Sequence, residues 1–238
     1  MSTLIKIIVT GILSTLLSSC NFGLGVMGNG NVLTKERTIS GNFDQIEASR
    51  GIDVYLSQSD VESVTVQADE NLHDIIIVKV EGNTLKIYAD ENISHSSAKK
   101  VMVNFKNISK VSSSSGSEVY STGIISAETL ELSSSSGSDM DLEVKVNNLH
   151  CEASSGSDLK VKGTANNLVA KASSGSDIKA ENLLTAITDA KASSGADIHV
   201  NVSRELTAKT ASGGDITYFG NPETINKSDG VSARQKQQ

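Results

Sequence analysis

Between residues 151 and 218 apolar and polar side chains alternate with a period of two. The alternation restarts about every twenty residues at a glycine. The stretch "ASSGSDLKV" at 153–161 returns as "ASSGSDIKA" at 172–180 and as "ASSGADIHV" at 192–200. Aligned on the motif glycine, the copies carry Gly116, Gly137, Gly156, Gly175, Gly195 and Gly213, at spacings of 21, 19, 19, 20 and 18. Two positions after it stand Glu118, Asp139, Asp158, Asp177, Asp197 and Asp215, followed by Val119, Met140, Leu159, Ile178, Ile198 and Ile216. A further apolar column reads Leu142, Val161, Ala180, Val200 and Tyr218, with Ser121 in the first copy. Before the glycine the alternating residues are small: Cys151 and Ala153, Ala170 and Ala172, Ala190 and Ala192, Ala208 and Thr210. Period-two alternation predicts strands with one buried face. Equivalent residues at equivalent places in a twenty-residue repeat predict coils stacked in register, the pattern of a β-solenoid.

The Ser-Ser-Gly-Ser element is then the corner of each coil. Its glycine supplies the positive φ of a sharp turn, and its hydroxyls bond neighbouring backbone groups from coil to coil. A disordered serine linker would not hold an acid and a branched apolar residue at fixed offsets through six copies. The corner is expected to face solvent. Ser176→Asp should therefore be mild, and Ile178→Asp severe. The first half follows the same logic less regularly. Gly51-Ile52-Asp53-Val54 repeats the offsets, and residues 75–89 read as a hairpin around Glu81-Gly82-Asn83 that closes one end. One all-β domain over 32–219 is expected, with eight to ten coils, about 40–50 Å long at the spacing of stacked strands. A polar, frayed tail over 220–238 should follow.

The amino terminus is a different kind of segment. Lys6 precedes an apolar run over 7–17, too short to span a bilayer, which ends in Leu17-Ser18-Ser19-Cys20. This resembles the lipobox of bacterial lipoproteins. The resemblance implies a signal peptide over 1–19 and a lipid-modified Cys20 (palmitate among the acyl groups) that anchors the chain to a membrane. The competing reading is an ordinary signal peptide with an incidental cysteine. Residues 20–31 would be a flexible link from lipid to domain. With Cys20 acylated, Cys151 has no partner for a disulfide.

Composition narrows the function. The net charge is −7, so no basic patch is expected to neutralise phosphates, and nucleic acid is excluded as a partner. Aromatic residues make up only 3%, with no tryptophan, which argues against a carbohydrate cleft built on flat rings.

The chain also resembles a known family, the head GIN domain proteins, described as auto-transporter adhesins and common in Gram-negative Bacteroidota. The matching residues are Gly28-Asn29-Gly30-Asn31-Val32, Arg37, Phe43, Ile46, Gly51-Ile52-Asp53-Val54, Asp69-Glu70-Asn71-Leu72 and Gly82-Asn83-Thr84-Leu85-Lys86-Ile87, then the serine-glycine repeats. The resemblance implies a right-handed parallel β-helix, exported and often lipid-anchored. It offers no catalytic residues to carry over.

The repeats themselves could carry chemistry. Carboxylates one coil apart repel by about 1 kcal/mol in water and about 3 kcal/mol at an effective dielectric of 20. They must face solvent, pair with cations or bind a metal. The plain reading is solvent-facing aspartates that accept hydrogen bonds at the corner, with Lys171, Lys191 and Lys209 softening the repulsion. The sharper one is a calcium ladder of Asp139, Asp158, Asp177, Asp197 and Asp215, although calcium takes six to eight oxygens and each coil offers one carboxylate. His73, His95, His150 and His199 are scattered without metal spacing, and His199 should be a solvated surface residue. Cys151 shares a column with Ala170 and Ala190, as a small core residue would. Gly28-Asn29-Gly30-Asn31 opens no helix and is no phosphate cradle. Two functions follow. One is a non-catalytic cell-envelope scaffold or adhesin, without cofactor, that binds polysaccharide or envelope protein. The other is a β-helix polysaccharide-processing enzyme, which would need irregular residues where the repeat is most regular.

Overall fold

The computed structural model describes residues 25–234; Cys20 and the signal segment lie outside the described residues. The first half holds β1 (Val26–Met27), β2 (Val32–Arg37), β3 (Gln45–Ser49), β4 (Asp53–Gln58) and β5 (Ser63–Asp69). After a 3-10 turn at Glu70–Leu72 come β6 (Ile76–Glu81), β7 (Thr84–Ala89), β8 (Ile93–His95), β9 (Lys99–Phe105) and β10 (Lys110–Ser113). The second half holds long bent strands: β11 (Glu118–Ser135), β12 (Asp139–Ser154), β13 (Asp158–Ser173), β14 (Asp177–Ser193) and β15 (Asp197–Ala211). Short strands follow: β16 (Asp215–Phe219), β17 (Thr224–Lys227) and β18 (Val231–Ala233). From β11 to β15 each strand pairs in parallel with the next, with Asp139 opposite Asp158, Asp158 opposite Asp177 and Asp177 opposite Asp197. The fold is the all-β solenoid that the repeat predicts. Seven corners mark its coils, fewer than the eight to ten expected, because part of the first half is spent on antiparallel strands.

Each corner is a two-residue turn with both central residues left-handed. At the fourth corner Ser155 has φ 56° and Gly156 φ 68°, and the same pair recurs from Arg50-Gly51 to Ser212-Gly213. Two positive φ values in sequence define a type I′ turn, and adding a side chain to Gly156 meets no atom within 4 Å. The glycine is therefore there for its backbone freedom. Its N–H also bonds the next coil: Gly137 N to Ser155 O, Gly156 N to Ser174 O and Gly175 N to Ser194 O, each 3.1 Å.

The expectation that the corner serines face solvent is only half right. Ser155 and Gly156 are exposed, but Ser117, Ser138, Ser157 and Ser176 are fully buried. The Ser157 hydroxyl accepts the Ser154 N–H at 3.2 Å and donates to the Ser134 carbonyl at 2.8 Å. Ser138 Oγ donates to Ser113 O and Ser117 Oγ to Ala48 O in the coils before them. The turn swings the fourth residue under the corner, and a small hydroxyl there satisfies groups that would otherwise be buried and unpaired.

Inside the coils the large column of Val119, Met140, Leu159, Ile178, Ile198 and Ile216 is at most 2% exposed, as predicted. Facing it are the small residues Cys151, Ala170, Ala190 and Ala208, all fully buried. A further buried set, Leu130, Leu149, Leu168 and Leu206, with Thr188 in the β14 coil, stacks two residues before these. Register shifts after Tyr120, Lys160 and Ala180 absorb the unequal repeat lengths. At one end, the hairpin β6–β7 around Gly82 terminates the sheet as expected. At the other end the chain does not fray at residue 220: β17 pairs with β15 and β18 with β16, adding a last partial coil. The expected flexible link is also partly built in. β1 pairs with β8, and Asn29, Gly30 and Asn31 are all hydrogen-bonded.

Candidate functional site

The geometry offers an extended surface with three local features. The first is the acidic column. In-register pairing places Asp53, Glu118, Asp139, Asp158, Asp177, Asp197 and Asp215 on successive coils, one carboxylate each, all half-buried or exposed. The serine hydroxyls of Ser117, Ser138 and Ser157 do not serve this column, because they donate to backbone carbonyls. Nor do the lysines expected to soften it: Lys171 pairs with Glu152 at 3.1 Å and Lys191 with Asp189 at 3.3 Å. The neutralising cation is Lys179, on the outward column two residues further along, at 2.7 Å from Asp158 and 3.6 Å from Asp177. Lys99 stands 3.8 Å from Asp53. Partial burial, reinforced by Asp158 and Glu118, holds the Asp139 carboxyl above its ordinary value. Burial raises Asp53 as well, with Lys99 opposing and Glu118 adding. Among the described residues, Asp197 and Asp215 form no ion pair, so the column is bare toward β18.

That bare end is the second feature. Asp197, His199, Asp215, Thr217, Ser232 and Arg234 line an open cleft of about 470 Å³ on the outward side of β15, β16 and β18. His199 is half-buried there rather than fully solvated, its ring 6.5 Å from that of Phe219. The third feature is a shallow groove of about 360 Å³ on the limb before the corner. Ser154, Ser173 and Ser193 form its hydroxylated floor, with the column of Ser133, Glu152, Lys171 and Lys191 on its bank. Side chains this small leave a concavity that larger ones would fill.

Two outward features were not singled out from the sequence. Tyr55 and Tyr120 stack at 5.3 Å, with the Lys100 ammonium 5.5 Å over Tyr55. The Tyr120 hydroxyl donates to Glu118 at 2.5 Å, which pushes the phenol up. Their sequence signal is the shared offset of two residues beyond Asp53 and Glu118. The second is an asparagine ladder, with Asn166 donating to Asn147 at 2.6 Å and Asn167 to Asn148 at 2.9 Å. The paired "NN" nineteen residues apart was its trace.

The remaining candidates do not converge with these. Cys151 is fully buried, and burial pushes its thiol far up, which leaves it inert as a nucleophile. His73 is buried, its Nε2 3.2 Å from Leu33 O, and burial lowers its pKa, with the charges of Lys35 and Arg37 lowering it further. Among the described residues no three His, Cys, Asp or Glu side chains come together as a metal-holding group. The calcium candidates Asp139, Asp158, Asp177, Asp197 and Asp215 form a line of single carboxylates and not a cage.

Comparison with known proteins gives the same architecture. A putative adhesin from Bacteroides fragilis superposes with a TM-score of 0.81 at 20% identity, covering 89% of this chain and 100% of that one. A putative lipid binding protein from Parabacteroides distasonis gives 0.70 at 23% identity, covering 88% of this chain and 99% of its own. A putative adhesin from Parabacteroides merdae gives 0.69 at 19% identity, over 88% and 98%. At these identities the likeness establishes the shared fold. No curated protein matches the chain. The family model described as "Putative auto-transporter adhesin, head GIN domain" matches residues 42–222, most of the described solenoid, and the chain belongs to that family.

Proposed function

We propose that the protein is a non-catalytic scaffold of the Gram-negative cell envelope, anchored through lipid on Cys20 to the outer membrane, that binds a repetitive partner such as a polysaccharide or an envelope protein. The carrying observation is the in-register stack: outward residues repeat coil after coil, so one weak contact is offered many times at a fixed step. Repeated weak sites raise avidity without any one site being strong. The adhesin reading of the family supports this direction. Against chemistry in mid-stack stand the burial of Cys151 and the pairing of Asp158 and Asp177 with Lys179.

A second reading has one observation in its favour. The C-terminal cleft brings two unpaired carboxylates, Asp197 and Asp215, together with His199 and Arg234. A polysaccharide-processing enzyme would act there. The test is a glycan and envelope-protein binding screen, run with and without a calcium chelator, beside an assay for polysaccharide cleavage. Binding without turnover is the expected result. Cleavage abolished by Asp197→Asn or Asp215→Asn would replace the scaffold with the enzyme, and chelator-sensitive binding would restore the calcium ladder.

A further inference from the structure

Asp69 is a buried carboxylate that neither the solenoid ladder nor the outward surface uses. It ends β5 and is only 1% exposed. Its oxygens accept three backbone N–H groups: Gly30 at 3.1 Å, Ser97 at 3.1 and 3.2 Å, and Ala98 at 3.1 Å. Burial alone would raise its pKa, but these donors outweigh it and hold the group below the ordinary carboxylate range. A side chain on Gly28 would come within 1.9 Å of Asp69 Oδ2, so the approach needs a glycine. Asn71 closes the same site, taking the Asn29 N–H on its oxygen at 2.9 Å and donating to the Met27 carbonyl at 2.8 Å. Glu70 adds two more bonds to Asn31. The glycine-asparagine run is thus clamped from three consecutive residues, 69–71. Between Cys20 and Gly25, where the described chain begins, lie five residue steps, a reach of at most about 18 Å. Met27, beside the clamp, is 67% exposed, and Val32, where β2 begins, is 40% exposed.

We propose that the β1–β8 end of the domain is its membrane-facing surface, held close to a phospholipid bilayer because β1 pairs with β8 and Asp69 latches the 28–31 turn behind it, which together keep the lipid tether short. This rests on Cys20 being the acylated anchor. Met27 would meet the lipid interface. The remaining coils would stack away from it by about 30 Å at the strand spacing, which displays the C-terminal cleft outward. With the latch open and β1 released from β8, the free tether would grow to eleven residue steps and a reach of about 40 Å.

The experiment uses the full chain, exported with its own signal and reconstituted into phosphatidylethanolamine–phosphatidylglycerol vesicles that carry an acceptor lipid. Donor dyes are placed singly at Glu91→Cys, beside β8, and at Ser232→Cys, on β18; buried Cys151 stays unlabelled. Mass spectrometry first reads acylation of Cys20. Energy transfer severalfold higher from position 91 than from 232 is expected. The variant Gly28→Val, which expels residue 28 from Asp69 and with it the Gly28 N–H bond to the His95 carbonyl that ends the β1–β8 pairing, should lower transfer from 91. Equal or reversed transfer in acylated protein would overturn the membrane-facing assignment while leaving the anchor standing. Unchanged transfer in Gly28→Val would overturn the latch. A protein without lipid on Cys20 would remove the anchor and this inference together.

Discussion

Replacing Ser157 tests the corner more sharply than any surface change. In Ser157→Ala the Ser154 N–H loses its acceptor at 3.2 Å and the Ser134 carbonyl loses a donor at 2.8 Å. Each hydrogen bond contributes about 1 kcal/mol net, and a buried group left unpaired costs about 1–3 kcal/mol. Two groups are affected, which sets a range of about 2–6 kcal/mol. The fold itself points to the lower half: the same column holds Ala196 in the next-to-last coil and Gly214 in the last, so a coil closes without the hydroxyl. The expected loss is about 2 kcal/mol. Ser157→Asp should cost more than about 4 kcal/mol, because it buries a charge between Ser138 and Ser176, both fully buried. The reverse change, Ala196→Ser, should stabilise by about 1 kcal/mol. Urea unfolding followed by circular dichroism gives the midpoint shifts. Because stacked repeats can open coil by coil, hydrogen exchange at the Ser154 amide should be read beside them. Ser157→Ala within about 0.5 kcal/mol of the parent, with Ser157→Asp equally well tolerated, would mean that the hydroxyl faces water and that the assigned turn is wrong.

Ile178→Asp should abolish cooperative unfolding or cost more than about 4 kcal/mol, since it puts a carboxylate between Leu159 and Ile198; a native-like melt would refute the column. Asp139→Asn should stabilise at pH 7 by roughly 0.5 kcal/mol, discounted for its exposure, and the gain should fade on acidification. The sign follows from a folded pKa raised above the unfolded one: the column's penalty appears as pH rises through that window and is relieved below it, so stabilisation that persists at pH 3 would contradict it. Asp69→Asn should do the opposite, lowering stability at pH 7 by about 2 kcal/mol, with the difference shrinking as pH falls below the ordinary carboxylate value near about 4 and through the depressed folded one. Cys151 should resist thiol reagents in the native state and react only on unfolding; rapid native labelling would contradict its burial.

The repeat made most of the second half legible. Gly156, Asp158 and Leu159 occupy fixed offsets because in-register stacking gives equivalent positions equivalent surroundings. What the pattern could not show was depth at the turn. Ser155 and Ser157 are the same residue type on either side of a glycine, yet one is exposed and one is fully buried. Only the three-dimensional path of a type I′ turn separates them. The lysines fail for a similar reason. Lys171 is six residues before Asp177 along the chain, but the corner intervenes, and its neighbour across the coils is Glu152. Lys179, two residues beyond Asp177 on the same strand, was the correct partner by the period-two rule. The first half was harder because its contacts cross long separations: Asp69 reaches Gly30 and Ser97, and no local pattern announces a clamp of that kind.

The placement of irregularity bears on function. Where the coils are most alike, from β12 to β14, lysines pair with several outward carboxylates, Asp141 with Lys160 and Asp158 with Lys179. That stretch therefore offers hydroxyls, amides and balanced charge, a surface suited to broad, weak, repeated contact. Where regularity ends, Asp197 and Asp215 form no ion pair among the described residues and share a cleft with His199 and Arg234. A scaffold that binds along its length and also senses something at its tip would divide its residues in this way. An enzyme with its cleft in mid-stack would need irregular residues between β12 and β14. The sequence places regular Ser-Gly corners there instead, which favours the proposed binding role over a mid-stack cleft.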